Sequence, residues 1–212
     1  MAQEQEYRTI AQTGYGEYEE KKSRFLAEAL FADSAEAADA ELARIRKQHY
    51  DARHHCSARI LGVGMREERS SDDGEPSGTA GKPILDCLRG SGCTNAIVVV
   101  TRYFGGTLLG TGGLVRAYSK AAADALANAR IVTMCLCHVV QMTFDYSHTD
   151  RVLYYLRQNG LETGEQEYTD RVRFTVTLRP ETEALLRRDL TAQTNGGVTF
   201  SVLREGYFGL QE

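Results

Sequence analysis

Hydrophobic and polar positions alternate early in the chain. Tyr15–Glu19 and Ser23–Phe31 read as two strands, and the polar pair Lys21-Lys22 between them reads as a turn. Ser34 then stands as the N-cap of a helix in which Ala35, Ala38, Leu42 and Ile45 recur at helical spacing, ending near Gln48. Cys56–Val63 alternates loosely, as a strand does. Residues 65–78 are charged and rich in turn formers, which predicts an exposed loop. Thr79 to Arg89 predicts a short helix, with Pro83 near its start where proline is tolerated. Asn95–Thr101 is a continuous β-branched run, as expected of a central strand buried on both faces. Leu114, Val115, Tyr118, Ala122, Ala125, Leu126 and Ala129 then mark one face of a long helix.

The second part of the chain has a different rhythm. Val139–Tyr146 predicts a strand, Thr149–Gln158 a helix, Gln166–Thr169 and Arg171–Leu178 two strands, Glu181–Gln193 a helix and Val198–Leu203 a strand. That order, β-α-β-β-α-β, is the ferredoxin-like pattern. The expected domains are therefore residues 1–137 and 138–212, within an α+β fold.

The chain has 212 residues and a net charge of −4, which weighs against broad, non-specific nucleic-acid binding but leaves room for a local basic patch. Up to residue 137 there are 17 Lys and Arg against 18 Asp and Glu, so a concentrated basic surface belongs in this nearly neutral part. The polar start, MAQEQEYRTI, lacks the apolar core of a signal peptide, and no apolar run reaches membrane-spanning length. Five cysteines without disulfide-framework density predict reduced thiols and a cytoplasmic location. Cys135 and Cys137 are spaced wrongly for a C-x-x-C motif and read as core residues.

The most distinctive stretch is RYFGGTLLGTGGLVR, Arg102–Arg116. Five of the nine residues from Gly105 to Gly113 are glycine, placed between a strand and a helix. Such a junction suits an anion, since backbone N–H groups and the helix dipole both favour negative charge. It is not a P-loop, because Thr111 occupies the lysine position, and the dinucleotide fingerprint beginning at Gly110 fails at Val115. Gly105, Gly106, Gly110, Thr111, Gly112 and Gly113 are thus candidates for holding phosphate, or glycines kept for tight packing. Arg102, Arg116, Lys120, Lys22 and Arg24 would form one basic face, with Tyr103 and Phe104 as stacking surface, an arrangement suited to RNA. The competing expectation is that the two aromatics are core and the lysines solvated.

Asp72, Asp73 and Glu75 place three carboxylates within four residues, a candidate Mg²⁺ site or a solvated Asp-Gly turn. Lys82, in the small-residue segment that follows, is a further anion candidate. His54, His55 and Cys56 offer a nucleophilic pair, a metal pair, or a buried thiol beside a hydrogen-bonded histidine.

Four segments together, KKSRFLA (Lys21–Ala27), HHCSAR (His54–Arg59), SDDGEPSGTAGKPIL (Ser71–Leu85) and VVVTRYFGGTLLGTGGLVRAYSKAA (Val98–Ala122), resemble the IMPACT/YigZ family. The resemblance covers roughly residues 15–125. It implies an N-terminal α/β domain of the ribosomal-protein and RNase PH-like type. The ferredoxin-like C-terminal domain would be similar to the last domain of elongation factor G. Eukaryotic relatives are linked to translational control through protein partners. The function expected is that of an RNA- or ribosome-associated protein acting in translation or its regulation. The alternatives are a Mg²⁺-dependent enzyme acting on a phosphorylated or nucleotide substrate, and a protein-interaction adaptor. No catalytic residue is assigned, and no membrane partner is expected.

Overall fold

The structure, a computed structural model, describes residues 5–209. The chain divides into two compact units between Thr133 and Met134. Among the described residues it is an α+β protein with five α-helices and two antiparallel sheets. No helix among them is long and apolar enough to cross a membrane.

The first unit contains strands β1 (Glu6–Gln12), β2 (Gly14–Glu20), β3 (Ser23–Phe31), β4 (His54–Leu61), β5 (Glu67–Ser71) and β6 (Ala96–Tyr103). Its helices are α1 (Ala35–Gln48), α2 (Gly81–Ser91) and α3 (Gly110–Asn128). The sheet order is β2-β3-β6-β4-β5, every neighbouring pair antiparallel. One face packs Phe25, Ala27, Cys56, Ala58, Val98 and Val100 against α2 and α3. The other packs Leu30, Leu61, Ile97 and Val99 against Ala38 and Ile45 of α1. β6 is central and covered on both sides, which accounts for its unbroken apolar run.

Local chemistry sets the junctions. Ser34 Oγ accepts from Ala37 N at 3.1 Å and starts α1. Lys21 and Lys22 both have positive φ, 47° and 64°, the signature of a type I′ hairpin turn. β2 lies directly on α3: a methyl group at Gly14 or Gly16 would fall 2.0 Å from Ala125 O or 2.4 Å from Ala125 N. These two glycines permit a backbone-to-backbone approach that no side chain would allow.

The structure corrects several expected boundaries. β1 has no counterpart in the sequence pattern, although Ile10 is buried in the core. β5 forms inside the loop expected at 65–78; all five of its residues are exposed, so no hydrophobic period marks it. The helix expected from Thr79 begins at Gly81.

Strand β7 runs Arg130–Phe144, starting well before Val139, and leads into the second unit. A 3₁₀ turn at Tyr146–His148 precedes α4 (Thr149–Gln158); then come β8 (Thr163–Tyr168), β9 (Val172–Leu178), α5 (Pro180–Gln193) and β10 (Val198–Phe208). Within this unit the strands run β10-β7-β9-β8. Val140, Met142, Phe144, Phe174 and Val176 form its core with Val152 and Leu156 of α4 and Leu186 and Leu190 of α5. Phe144 and Phe174 meet edge to face at 5.2 Å.

Candidate functional site

A buried polar cluster lies in the first unit, where the ends of β4 and β6 meet the start of α3. The strand register sets Phe25, Arg102 and His54 in one row across β3, β6 and β4. Arg102 thus emerges on the face that carries α3, still buried at 6% exposure. Its Nη1 donates to Glu75 Oε1 at 2.7 Å, and Tyr118 Oη donates to the same oxygen at 2.8 Å. Cys56 Sγ donates to Asp72 O at 3.0 Å and lies 3.3 Å from Tyr118 Oη. Burial pushes the Cys56 thiol up to about 12 and the Tyr118 hydroxyl upward as well, so both are neutral donors. Arg102 Nε is buried with no hydrogen-bond partner.

The cluster forms part of the lining of a cleft of about 450 Å³. Arg53, His54, Glu75, Pro76 and Arg102 line it with Phe104, Leu108, Leu109, Gly110, Thr111 and Leu114. Such a volume lies in the range of small-molecule sites, about 300–1,000 Å³. Phe104 is 54% exposed, and the Arg102 guanidinium sits 5.6 Å from its ring centroid. His54 Nδ1 lies 2.9 Å from the Asp73 carbonyl oxygen. A carbonyl only accepts, so Nδ1 carries the proton and Nε2 is the acceptor in the neutral ring.

The glycine loop shapes the opposite wall. Gly105 N donates to Ser23 Oγ at 3.1 Å, and a methyl at Gly105 would lie 2.0 Å from the Lys22 carbonyl carbon. The loop is therefore pinned to the Lys21-Lys22 hairpin, and Gly106 and Gly110 turn it at φ of 86° and 70°. α3 begins with no side-chain cap, leaving its first-turn N–H groups without side-chain acceptors. The contrast with α2 is direct. There the Asp72 carboxylate accepts from Gly78, Ala80 and Gly81 N–H at 2.8, 3.0 and 2.8 Å. Burial disfavours the Asp72 charge, but the three N–H bonds outweigh it and hold the pKa below the ordinary value.

Several expected site residues are placed elsewhere. Asp72, Asp73 and Glu75 are adjacent in sequence but not gathered: Asp72 holds the start of α2, Asp73 takes Arg46 and the His55 N–H, and Glu75 turns inward to Arg102. Each carboxylate already has its donors, and no group of three or more His, Cys, Asp or Glu among the described residues is arranged to hold a metal. Arg102 does not join a solvated basic face, because Glu75 draws it inside. Tyr103 alternates away from Phe104 and bonds His49 at 2.9 Å and Asp51 at 3.1 Å. Arg24 pairs with Glu17 at 2.9 Å, and Lys120 lies over the Tyr18 ring at 4.7 Å. Lys82 borders a separate cleft with Asp86, Cys87 and Val115. No bond joins Cys56 to His54, since each is tied to the 72–73 backbone instead. Lys22 and Arg116 are exposed, Lys22 next to the pinned loop and Arg116 with its guanidinium close to Gly112.

Arg53 and Leu108 line the cleft without having been singled out by the sequence. Arg53 has no periodic or motif context, and Leu108 passes for core until its 83% exposure is seen.

Residues 21–126 match the Impact N-terminal domain, and residues 142–196 match a domain of unknown function, DUF1949. Over 190 residues the chain is 34% identical to the IMPACT family member YvyE of Bacillus subtilis (strain 168), covering 90% of this chain and 88% of the relative. The chain belongs to the IMPACT family. A second IMPACT family member, YigZ of Escherichia coli (strain K12), is 51% identical over 108 residues, half of this chain and 53% of that protein. A crystal structure of a hypothetical protein aligns with a TM-score of 0.63 at 33% identity, covering 95% of this chain and 98% of that one. Every residue lining the cleft lies inside the segment that matches the Impact N-terminal domain.

Proposed function

We propose that this IMPACT family protein binds RNA, free or in the ribosome, through the cleft between β6 and α3, and acts in translation or its regulation. One observation carries this reading: the uncapped start of α3 and Arg102, paired with Glu75, line the same cleft beside the exposed ring of Phe104. Backbone N–H groups at a helix start favour phosphate, and an exposed aromatic favours a base. Arg53, Lys22 and Arg116 supply the phosphate contacts, while Arg102 acts from the floor rather than the surface. The element order of the second unit supports a ferredoxin-like domain at 138–212. The sheet covered by helices on both faces supports the ribosomal-protein and RNase PH-like type for 1–137. Both are classes met among RNA-associated proteins, an analogy of fold only.

The test is the affinity for unstructured single-stranded RNA as a function of salt. Affinity falls as salt rises, with a log–log slope of about 0.7 for each phosphate contacted. Replacing Arg53 and Arg116 together by alanine lowers both the affinity and the slope. Affinity that is indifferent to salt and to the double substitution overturns the reading.

A further inference from the structure

We infer that the cleft holds a single nucleotide, its base against Phe104 and its phosphate over the first turn of α3. The inference rests on the cleft being the ligand site proposed above, but it concerns the unit of recognition rather than the polymer.

Three features of the cleft each specify a part of that ligand. The first is the ring of Phe104, more than half exposed yet braced by the Arg102 guanidinium beneath it. A planar base stacks on such a ring, and the apolar walls of Leu108, Leu109 and Leu114 extend the contact. The second is the floor. Glu75 and Arg102 lie side by side and His54 borders the same space, so an acceptor and donors adjoin there. A base edge carries acceptors and donors next to each other and so matches that floor. The third is the start of α3. Asp72 illustrates at α2 what an anion does at such a turn, taking three N–H bonds. No side chain plays that part at α3, where Gly110 and Thr111 open on the cleft. A phosphate bears the charge and the oxygens that this turn is built to receive. Glu75 neutralises Arg102, so the phosphate belongs at the helix start and Arg53 rather than on the floor.

A free mononucleotide and the end nucleotide of an RNA strand share this chemistry. Calorimetric titration of the full chain separates them, using AMP, GMP, CMP and UMP, the four nucleosides, and a short RNA with and without a 5′-phosphate. Two variants accompany it. Phe104→Ala removes an exposed ring. Thr111→Asp places a carboxylate at the start of α3, where it favours the helix and occupies the anion position.

At least one mononucleotide binds, its nucleoside binds at least tenfold more weakly, and each variant weakens the mononucleotide at least tenfold. Thr111→Asp leaves Tm unchanged or raises it. Binding of the RNA only with its 5′-phosphate assigns the site to strand ends. Mononucleotide binding without RNA binding upholds the inference and overturns the RNA reading. RNA binding with no detectable binding of any mononucleotide overturns the inference and leaves the RNA reading standing.

Discussion

Glu75 Oε1 accepts from Arg102 Nη1 at 2.7 Å, and the two side chains are only 4% and 7% exposed. Removing one partner of a buried pair strands the other's charge, at a cost of about 3–5 kcal/mol. Glu75→Ala also deprives Tyr118 of its acceptor. Urea unfolding of Glu75→Ala is expected to show a loss in that range. A loss below about 1 kcal/mol, the value of an exposed pair, would mean that Arg102 reaches water without Glu75.

The hairpin at Lys21-Lys22 holds two non-glycine residues at positive φ, in a turn that prefers Asn-Gly. Left-handed backbone costs roughly 1–2 kcal/mol per residue. Replacing Lys21 by Asn and Lys22 by Gly together should raise stability by about 1 kcal/mol or more, seen as a higher Tm. RNA affinity should fall in the same protein, because Lys22 is lost beside the glycine loop. A stabilised variant with undiminished affinity removes Lys22 from the binding surface.

What the sequence made legible was whatever rested on local periodicity. β3, α1, α3, α4 and α5 follow from alternation, capping and helical spacing. β5 did not, because EERSS is exposed throughout and joins the sheet only by pairing with β4. The glycine loop was legible as a junction of strand and helix. Its partners were not: Gly105 depends on Lys22 and Ser23, more than eighty positions earlier, and Arg102 depends on Glu75, which looked like a member of an acidic cluster. Sequence proximity grouped Asp72, Asp73 and Glu75; the turn at Asp73 and Gly74, both at positive φ, sends their side chains to different partners.

In the second unit, His138 of β7 bridges Glu183 of α5 and Glu205 of β10. Hydrogen bonds to Glu183 first, and Glu205 second, raise the His138 pKa above its ordinary value. The folded state then binds a proton more tightly than the unfolded state. The stability so gained is fully present below the unfolded value of about 6.5 and is lost as pH rises through the raised folded value. Hydrogen exchange of β7 and α5 amides, corrected for intrinsic pH dependence, is expected to show more protection at about pH 6 than at about pH 9. His138→Gln should abolish that difference; a difference that survives would place its origin elsewhere.

Cys56 is buried, and burial holds its thiol at about 12. The reactive species is the thiolate, so Cys56 should resist alkylation in the folded protein. Mass spectrometry after brief iodoacetamide treatment near neutral pH is expected to find Cys56 unmodified, and modified once urea unfolds the chain. Rapid native-state labelling would revive a nucleophilic role for this cysteine.

The central claim is that RNA enters the cleft between β6 and α3. Amide NMR of the full chain, titrated with a short unstructured RNA, tests it most directly. The largest shifts are expected at Phe104, Gly110, Thr111 and Gly112, with His54 following. Saturable binding that leaves these five residues unmoved would contradict it.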